Sequence, residues 1–468
     1  MTVTKVSVFS IITWAAMLCL ALPLWAQPPG PLQDLATDHL HLKDGSQWSG
    51  MLLEQSQRKV EFLEINRPPG KPMFAVIHTV SPDRVANVEQ ISGTDREQLS
   101  VLVDHLRNRT QIRAAEKDSV KLVQVKSGIL ESNDVWQYTS DHFVLTSPLQ
   151  EDLTRTLAVR IDQIFQAFEH WMPPERTPEG PIQIILFGSI DHYSAYLRRI
   201  GLQINNPAVY VPHTNQVLIG TDLGAFQKRL LLIDQQHDKI LQQWQTAEKE
   251  LPKTLNHLAK QLKEMGWSSN DITIEVQARR EAWQRDYRKK QAQIQTTNRR
   301  NQSMLQALVE QTTQHLCHES FHAYVENFLF PQDQFEVPVW LNEGLAQLFE
   351  HAQFENGSFR IDQPPKQLLD ELKARIERDH GLCLQRMLQT EAGSFLLFEN
   401  LHRSQLDYDV AWGLAWYLVF QKDLFTSERL ERYVHRRGTP EASIEETFGE
   451  PVSRLQSSWV DFMLQLRP

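Results

Sequence analysis

Cysteine is nearly missing from this chain, with three in 468 residues, and Cys19 falls inside an N-terminal apolar run. Cys317 and Cys383 alone are too few to staple a domain, which excludes a disulfide scaffold. They could pair with each other, but Cys317 lies in a helical pattern and reads better as a buried, inert thiol. A Gly-rich phosphate loop and a dinucleotide fingerprint are also missing, so nucleotide chemistry has no support. Positive charge is in deficit: 48 Lys and Arg face 58 Asp and Glu, a formal net charge of −10. That balance argues against a nucleic-acid partner. Beyond the N-terminal run, no segment is apolar for long enough to span a bilayer.

The N-terminal run itself occupies residues 6–24, follows Lys5, and leads through Trp25-Ala26-Gln27 into a proline-rich stretch. It reads as a secretory signal, residues 1–26, cut after Ala26. The product is therefore expected to be exported, periplasmic or extracellular. Leu24 is larger than the residue usual three before a cut, which leaves an uncleaved membrane anchor as the alternative. Leu18 before Cys19 disfavours a lipoprotein.

What is present comes in blocks, and 468 residues lead us to expect two or three domains. Residues 38–92 hold five short strand candidates, 40–42, 50–54, 60–65, 73–80 and 85–91, separated by turn formers such as Asp44-Gly45 and Ser81-Pro82-Asp83. Five strands in so short a span suggest a small SH3-like or Sm-like barrel. A polar amphipathic helix within residues 93–127 follows. Residues 128–225 then read as a βαβαββ run: a strand from Trp136, a helix over 151–171, a buried strand over 181–187, a helix over 191–200, and a hairpin of 208–211 with 216–220.

From Phe226 to residue 302 the apolar positions Leu230, Ile233, Ile240, Trp244 and Leu251 form a heptad seam that also takes in His237. It resumes at Leu255, after a skip where Pro252 should kink the helix. A return arm uses Val276, Trp283, Tyr287 and Ile294. Two long antiparallel helices, joined near Gly266, are the direct reading. The second arm meets no breaker before the motif that follows.

That motif is His318-Glu319-Ser320-Phe321-His322. Residues four apart on a helix share one face, so the two imidazoles can converge on one ion while Glu319, one step round, can polarise a bound water. Two ligands leave an ion under-coordinated. Glu343, in Trp340-Leu341-Asn342-Glu343-Gly344-Leu345-Ala346, can supply the third after the break bracketed by Pro331 and Pro338. Two His, one Glu and an open fourth position describe a catalytic zinc site rather than a closed structural one. His315 reads as a buried neighbour rather than a fourth ligand, and His213 as a turn residue.

This arrangement resembles the gluzincin metallopeptidases, and within them the peptidase MA-like group of bacterial envelope proteins. The resemblance covers residues 130–225 and 300–468, most specifically 315–350. It implies an α+β catalytic domain, mixed sheet plus helical lobe, over 128–225 and 303–468, with 226–302 as an insertion. It implies Zn2+ held by His318, His322 and Glu343, and Glu319 as general base on a protein or peptide substrate. It also implies a sheet whose edge strand can hold an extended peptide. Asp407-Tyr408-Asp409-Val410-Ala411-Trp412 resembles the family's Tyr-x-x-Ala-Trp helix start, which makes Tyr408 the candidate oxyanion donor or, equally, a core residue. The rival readings are an envelope scaffolding protein that binds partners through its β module and hairpin, and a hydrolase acting on another amide, such as a cell-wall cross-link.

Overall fold

The computed structural model describes residues 36–66, 73–130, 132, 134–355, 358–378, 384–389, 401–425, 428–435 and 439–467. The expected signal and Cys383 lie outside them. The chain divides into two compact units, one of residues 1–65 with 75–107 and one of 66–74 with 108–468. Among the described residues, no helix is long and apolar enough to cross a membrane. The architecture is α+β.

In the first unit, β1 (Asp38–Leu42), β2 (Gln47–Gln55), β3 (Val60–Asn66), β4 (Phe74–Val80) and β5 (Val85–Glu89) form one sheet in the order β4-β3-β2-β1-β5. Alternation puts Leu40, Leu42, Leu52, Val60 and Phe62 on its buried face. The expected barrel is corrected here: the sheet is open. Closure requires the two end strands to pair. β5 pairs with β1 at one end of the sheet and β4 stands at the other, so the two are linked through the turn Pro82–Arg84 but are not paired neighbours. Buried Asp38 fastens the sheet, accepting from the Leu52 N–H at 2.8 Å and pairing with Arg96. Arg96 belongs to α1 (Thr94–Ser119).

The second unit is built on a six-stranded mixed sheet. Its strands β6 (Val123–Val125), β7 (Val135–Thr139), β8 (Phe143–Ser147), β9 (Ile182–Phe187), β10 (Ala208–Val211) and β11 (Gln216–Gly220) lie in the order β10-β11-β9-β8-β7-β6. β8, β9 and β11 run parallel, and the remaining pairings are antiparallel. Two differences from the sequence reading stand out. The strand expected from Trp136 is a hairpin, because Ser140 N–H and the Phe143 carbonyl close a turn at 2.9 Å. β6 adds a short strand to its outer side. α2 (Glu151–Trp171) buries Leu157, Ile161, Ile164, Phe165 and Phe168 at helical spacing, with Glu151 and Asp152 favourably placed in its first turn. α3 (Ile190–Arg199) is capped by Ser189, whose hydroxyl accepts from the His192 N–H at 3.2 Å.

The hairpin is α4 (Leu223–Glu264) and α5 (Ser269–Tyr324). The helix passes through Pro252 without interruption. Gly266, at φ +84°, makes the turn, and the Ser268 hydroxyl caps α5 by accepting from the Asp271 N–H at 3.2 Å. The seam holds an aromatic knot in which the Trp244 ring lies 5.6 Å from Trp283 and 5.7 Å from Tyr287. With about 1.5 Å of rise per residue, α5 is on the order of 80 Å long. Its last turns enter the core of the second unit.

There the metal-motif helix is held by aromatic contacts. Phe168 of α2 sits 5.6 Å from Phe321 and 5.3 Å from Tyr324, and 5.0 Å from Phe349. Phe349 belongs to α6 (Val339–Glu350). Behind α6, the helices Lys366–Arg378, Leu401–Gln421, Pro440–Phe448 and Val452–Gln465 form the helical lobe. The helix that carries the Tyr408 segment spans Leu401–Gln421. Tyr408 therefore sits inside this helix, not at its start.

Candidate metal centre

The α5 helix ends with Cys317, Phe321 and Tyr324 buried, which turns His318, Glu319 and His322 along its other side. Their rings converge as one-turn spacing requires: the His318 and His322 centroids are 4.8 Å apart. The chain then leaves the helix through a π turn, Val325–Leu329, and returns as α6. Trp340, Leu341, Leu345, Leu348 and Phe349 bury the inner face of α6, and this packing carries Glu343 to the histidines. Glu343 Oε2 lies 3.3 Å from His318 Nε2, and Oε1 lies 3.6 Å from His322 Nε2. Among the described residues, His318, His322 and Glu343 are the group of ligand atoms, all within 4.8 Å of one another, that could hold a metal ion.

The donor set passes a test of fit. Glu343 Oε2 is buried without a well-directed hydrogen bond, and the atom that faces it, His318 Nε2 at 3.3 Å, is itself a ligand atom, so both could turn to one ion. Electrostatics agree. Burial works to raise the Glu343 carboxyl, but His322 and His318 outweigh it and hold it below the ordinary range. Burial likewise works to depress His318, yet the Glu343 and Glu350 carboxylates beside it hold it well above its usual value.

Glu350 was not singled out from sequence. Its Oε2 lies 2.8 Å from His318 Nδ1, fixing the ring so that Nε2 faces Glu343. The signal was available: Glu350 is seven residues after Glu343, two turns along the same face of one helix. Glu350→Gln is expected to weaken metal affinity by about 10- to 100-fold without unfolding the protein. Competition with a chelating dye would measure it, and an unchanged affinity would remove Glu350 from this role.

Glu319 is held from the other side. Its Oε2 accepts the backbone N–H of Tyr210 on β10 at 2.7 Å. β10 is an end strand of the sheet, so the outer edge of that strand faces the motif. Tyr408 is partly buried against the core that holds the site; burial raises its phenol well above the usual range, and the Glu343, Glu319 and Glu350 carboxylates add to the effect. Cys317 takes no part. Its Sγ donates to the Phe349 carbonyl at 3.1 Å, and burial pushes the thiol up, as an inert structural cysteine requires. His315 is half-buried, with burial lowering its pKa. His213 lies in the 3-10 turn Pro212–Thr214, away from the metal group.

Gly344 is fixed by packing. A Cβ there would meet the Ala411 carbonyl oxygen at 2.4 Å and the Ala415 Cβ at 3.0 Å. Alanine in a helix is favoured over glycine by about 1 kcal/mol. Overpacking against backbone, which cannot rotate away, costs about 1–3 kcal/mol. Clash wins, so Gly344→Ala is expected to lower the melting temperature and, by shifting α6, the metal affinity. A variant as stable as the parent and binding metal as tightly would contradict this packing.

A family model described as "Protein of unknown function (DUF1570)" matches residues 312–436, a span that includes the metal group, Glu319, Glu350 and Tyr408. No curated protein matches the chain.

Proposed function

We propose that the protein is an exported zinc-dependent metallopeptidase of gluzincin type that cleaves peptide bonds. The observation that carries the reading is the convergence of His318, His322 and Glu343, with Glu319 beside them facing an end strand of the sheet. Two imidazoles and one carboxylate are a donor set that suits zinc and leaves a coordination position open. When bound, the ion supplies Lewis acidity, which brings a nucleophile from water within reach near neutral pH.

The chain's own residues divide the remaining work. Glu319 takes a proton from the attacking water as its oxygen bonds to the scissile carbonyl carbon. It then delivers that proton to the leaving amine as the C–N bond breaks. Tyr408, kept protonated by its raised pKa, can donate its O–H to the developing oxyanion. Glu350 holds the His318 ring. The outer edge of β10 offers backbone groups to an extended peptide. Export rests on the signal read in residues 1–26.

A second reading, a non-catalytic envelope scaffold, is favoured by one feature. The hairpin tip exposes Met265 at 72%, Trp267 at 47% and Ile274 at 60%, a local apolar surface that suits a partner. Elemental analysis of the purified protein, followed by a peptide-library digest with and without chelator, separates the two. Stoichiometric zinc with chelator-sensitive cleavage supports the peptidase. Zinc-replete protein that leaves every peptide intact overturns it.

A further inference from the structure

The Tyr210 amide that holds Glu319 is itself held, and the tie passes through Asn327. On β10 the backbone alternates. Pro207 accepts the Gly220 N–H at 2.7 Å, and pairing of Val209 with Leu218 and Val211 with Gln216 turns every second residue toward β11. Tyr210 is of the other parity, so its N–H points off the sheet, where Glu319 Oε2 receives it. A short end strand bound on one side only would by itself hold that amide loosely.

Asn327 closes the gap between strand and helix. Its Nδ2 donates its two hydrogens to Asn215 Oδ1 at 2.9 Å and to the Ala323 carbonyl at 2.8 Å, with the Tyr210 hydroxyl 3.2 Å from the same nitrogen. Tyr210 Oη donates in turn to Asn215 Oδ1 at 3.3 Å. Asn215 itself sits at φ 50°, the left-handed conformation that asparagine tolerates, in the turn that joins β10 to β11.

The π turn explains why Asn327 can reach. In an unbroken α-helix, eight residues would carry Asn327 about 80° round the axis from Glu319. The extra residue of a π turn, seen in the Phe330 N–H to Val325 carbonyl bond of 2.7 Å, rotates Asn327 back toward that face. The Phe328 carbonyl then accepts from the Glu175 and Arg176 amides at 2.9 and 3.2 Å, which anchors the turn to the loop after α2.

We infer that Asn327 is a positioning residue: through Asn215 and Tyr210 it ties the edge strand β10 to the metal-motif helix, so that the Tyr210 amide orients the Glu319 carboxylate. The inference rests on the peptidase reading for its kinetic consequence, but the tie can be tested without any substrate.

Hydrogen exchange at the Tyr210 amide, in the zinc-supplemented full-length protein, is the direct measurement. Glu319→Ala removes the acceptor and Asn327→Ala removes the tie, and each is expected to speed Tyr210 exchange at least about tenfold. Asn215→Gly keeps the left-handed turn while deleting the side-chain acceptor. It should do the same, and it decides the matter if Asn327→Ala does not fold. Unchanged Tyr210 exchange in the folded variants overturns the tie, whatever the protein hydrolyses.

On any peptide cleaved by the parent, Asn327→Ala should lower kcat about 10- to 100-fold with KM and zinc content unchanged, the pattern of a misplaced base. A variant with faster exchange but parental kcat would show that the tie exists and does not serve Glu319. If no peptide is cleaved at all, the peptidase reading fails while the exchange result still stands for or against the tie.

Discussion

Glu319→Gln is expected to leave zinc content untouched and to cut peptide hydrolysis by about 10²- to 10⁴-fold, the range that a positioned general base contributes. The substitution is nearly isosteric, and the Gln carbonyl oxygen can still accept the Tyr210 N–H that Glu319 now receives at 2.7 Å. None of the three proposed ligands is disturbed. What disappears is the basicity that draws the proton from water. The loss should fall on kcat, because Glu319 engages the substrate chiefly as the proton moves. Zinc stoichiometry and kcat/KM on a peptide cleaved by the parent are the two readings needed. A Gln variant that retains its metal and hydrolyses at the parental rate would mean that the base lies elsewhere.

Much of this site could be read before any coordinates because its chemistry depends on helix geometry. His318 and His322 had to share a face once the segment was helical, and Pro331 and Pro338 marked where the chain could turn before Glu343. The hairpin declared itself through its heptads, with Trp244 on one seam and Trp283 on the other, although that the two rings meet was seen only in the structure. The two strands over 135–147 did not, because Ser140-Asp141-His142 lacks the Gly and Pro that announce a turn. Sheet closure in the first unit was misjudged for another reason. β4 and β5 are joined by a short turn that would suit a hairpin, yet they end at opposite edges of the sheet, and the residues of either strand would look the same in a closed barrel or an open sheet.

Glu350 shows an intermediate case. Its face was predictable, but its partner depended on the angle at which α6 packs beside α5. The Tyr210 amide could not have been found at all, since a backbone N–H carries no signature in the residue type. Asn327 was hidden by the π turn, which shifts it off the face that regular helical counting assigns.

His322→Ala should abolish metal binding and turnover together, with a loss of affinity greater than the roughly 100-fold upper range for an outer partner such as Glu350. Only His318 and Glu343 of the proposed ligands would remain. The variant should nevertheless fold, because the charge cluster is self-compensating without an ion. His318 still lies 3.3 Å from Glu343 and 2.8 Å from Glu350, and these carboxylates outweigh burial to hold the imidazole well above its ordinary value of 6.5. A group raised on folding stabilises fully below its unfolded value and loses that contribution as the pH climbs through its folded value. Despite burial, Glu350 is lowered from 4.5 by His318, and Glu343 in the parent is lowered by His322 together with His318. Their share is therefore lost in the opposite direction, as the pH falls below that value, and His322→Ala keeps for Glu343 only the His318 part. Chelator-treated parent and His322→Ala should therefore both lose His318-linked stability as the pH rises above about 6.5. Zinc should protect the parent over that range and leave the variant unchanged. Denaturant titrations at several pH values, with and without added zinc, measure this directly. If zinc stabilised His322→Ala as strongly as the parent, the ion would not be held by this trio.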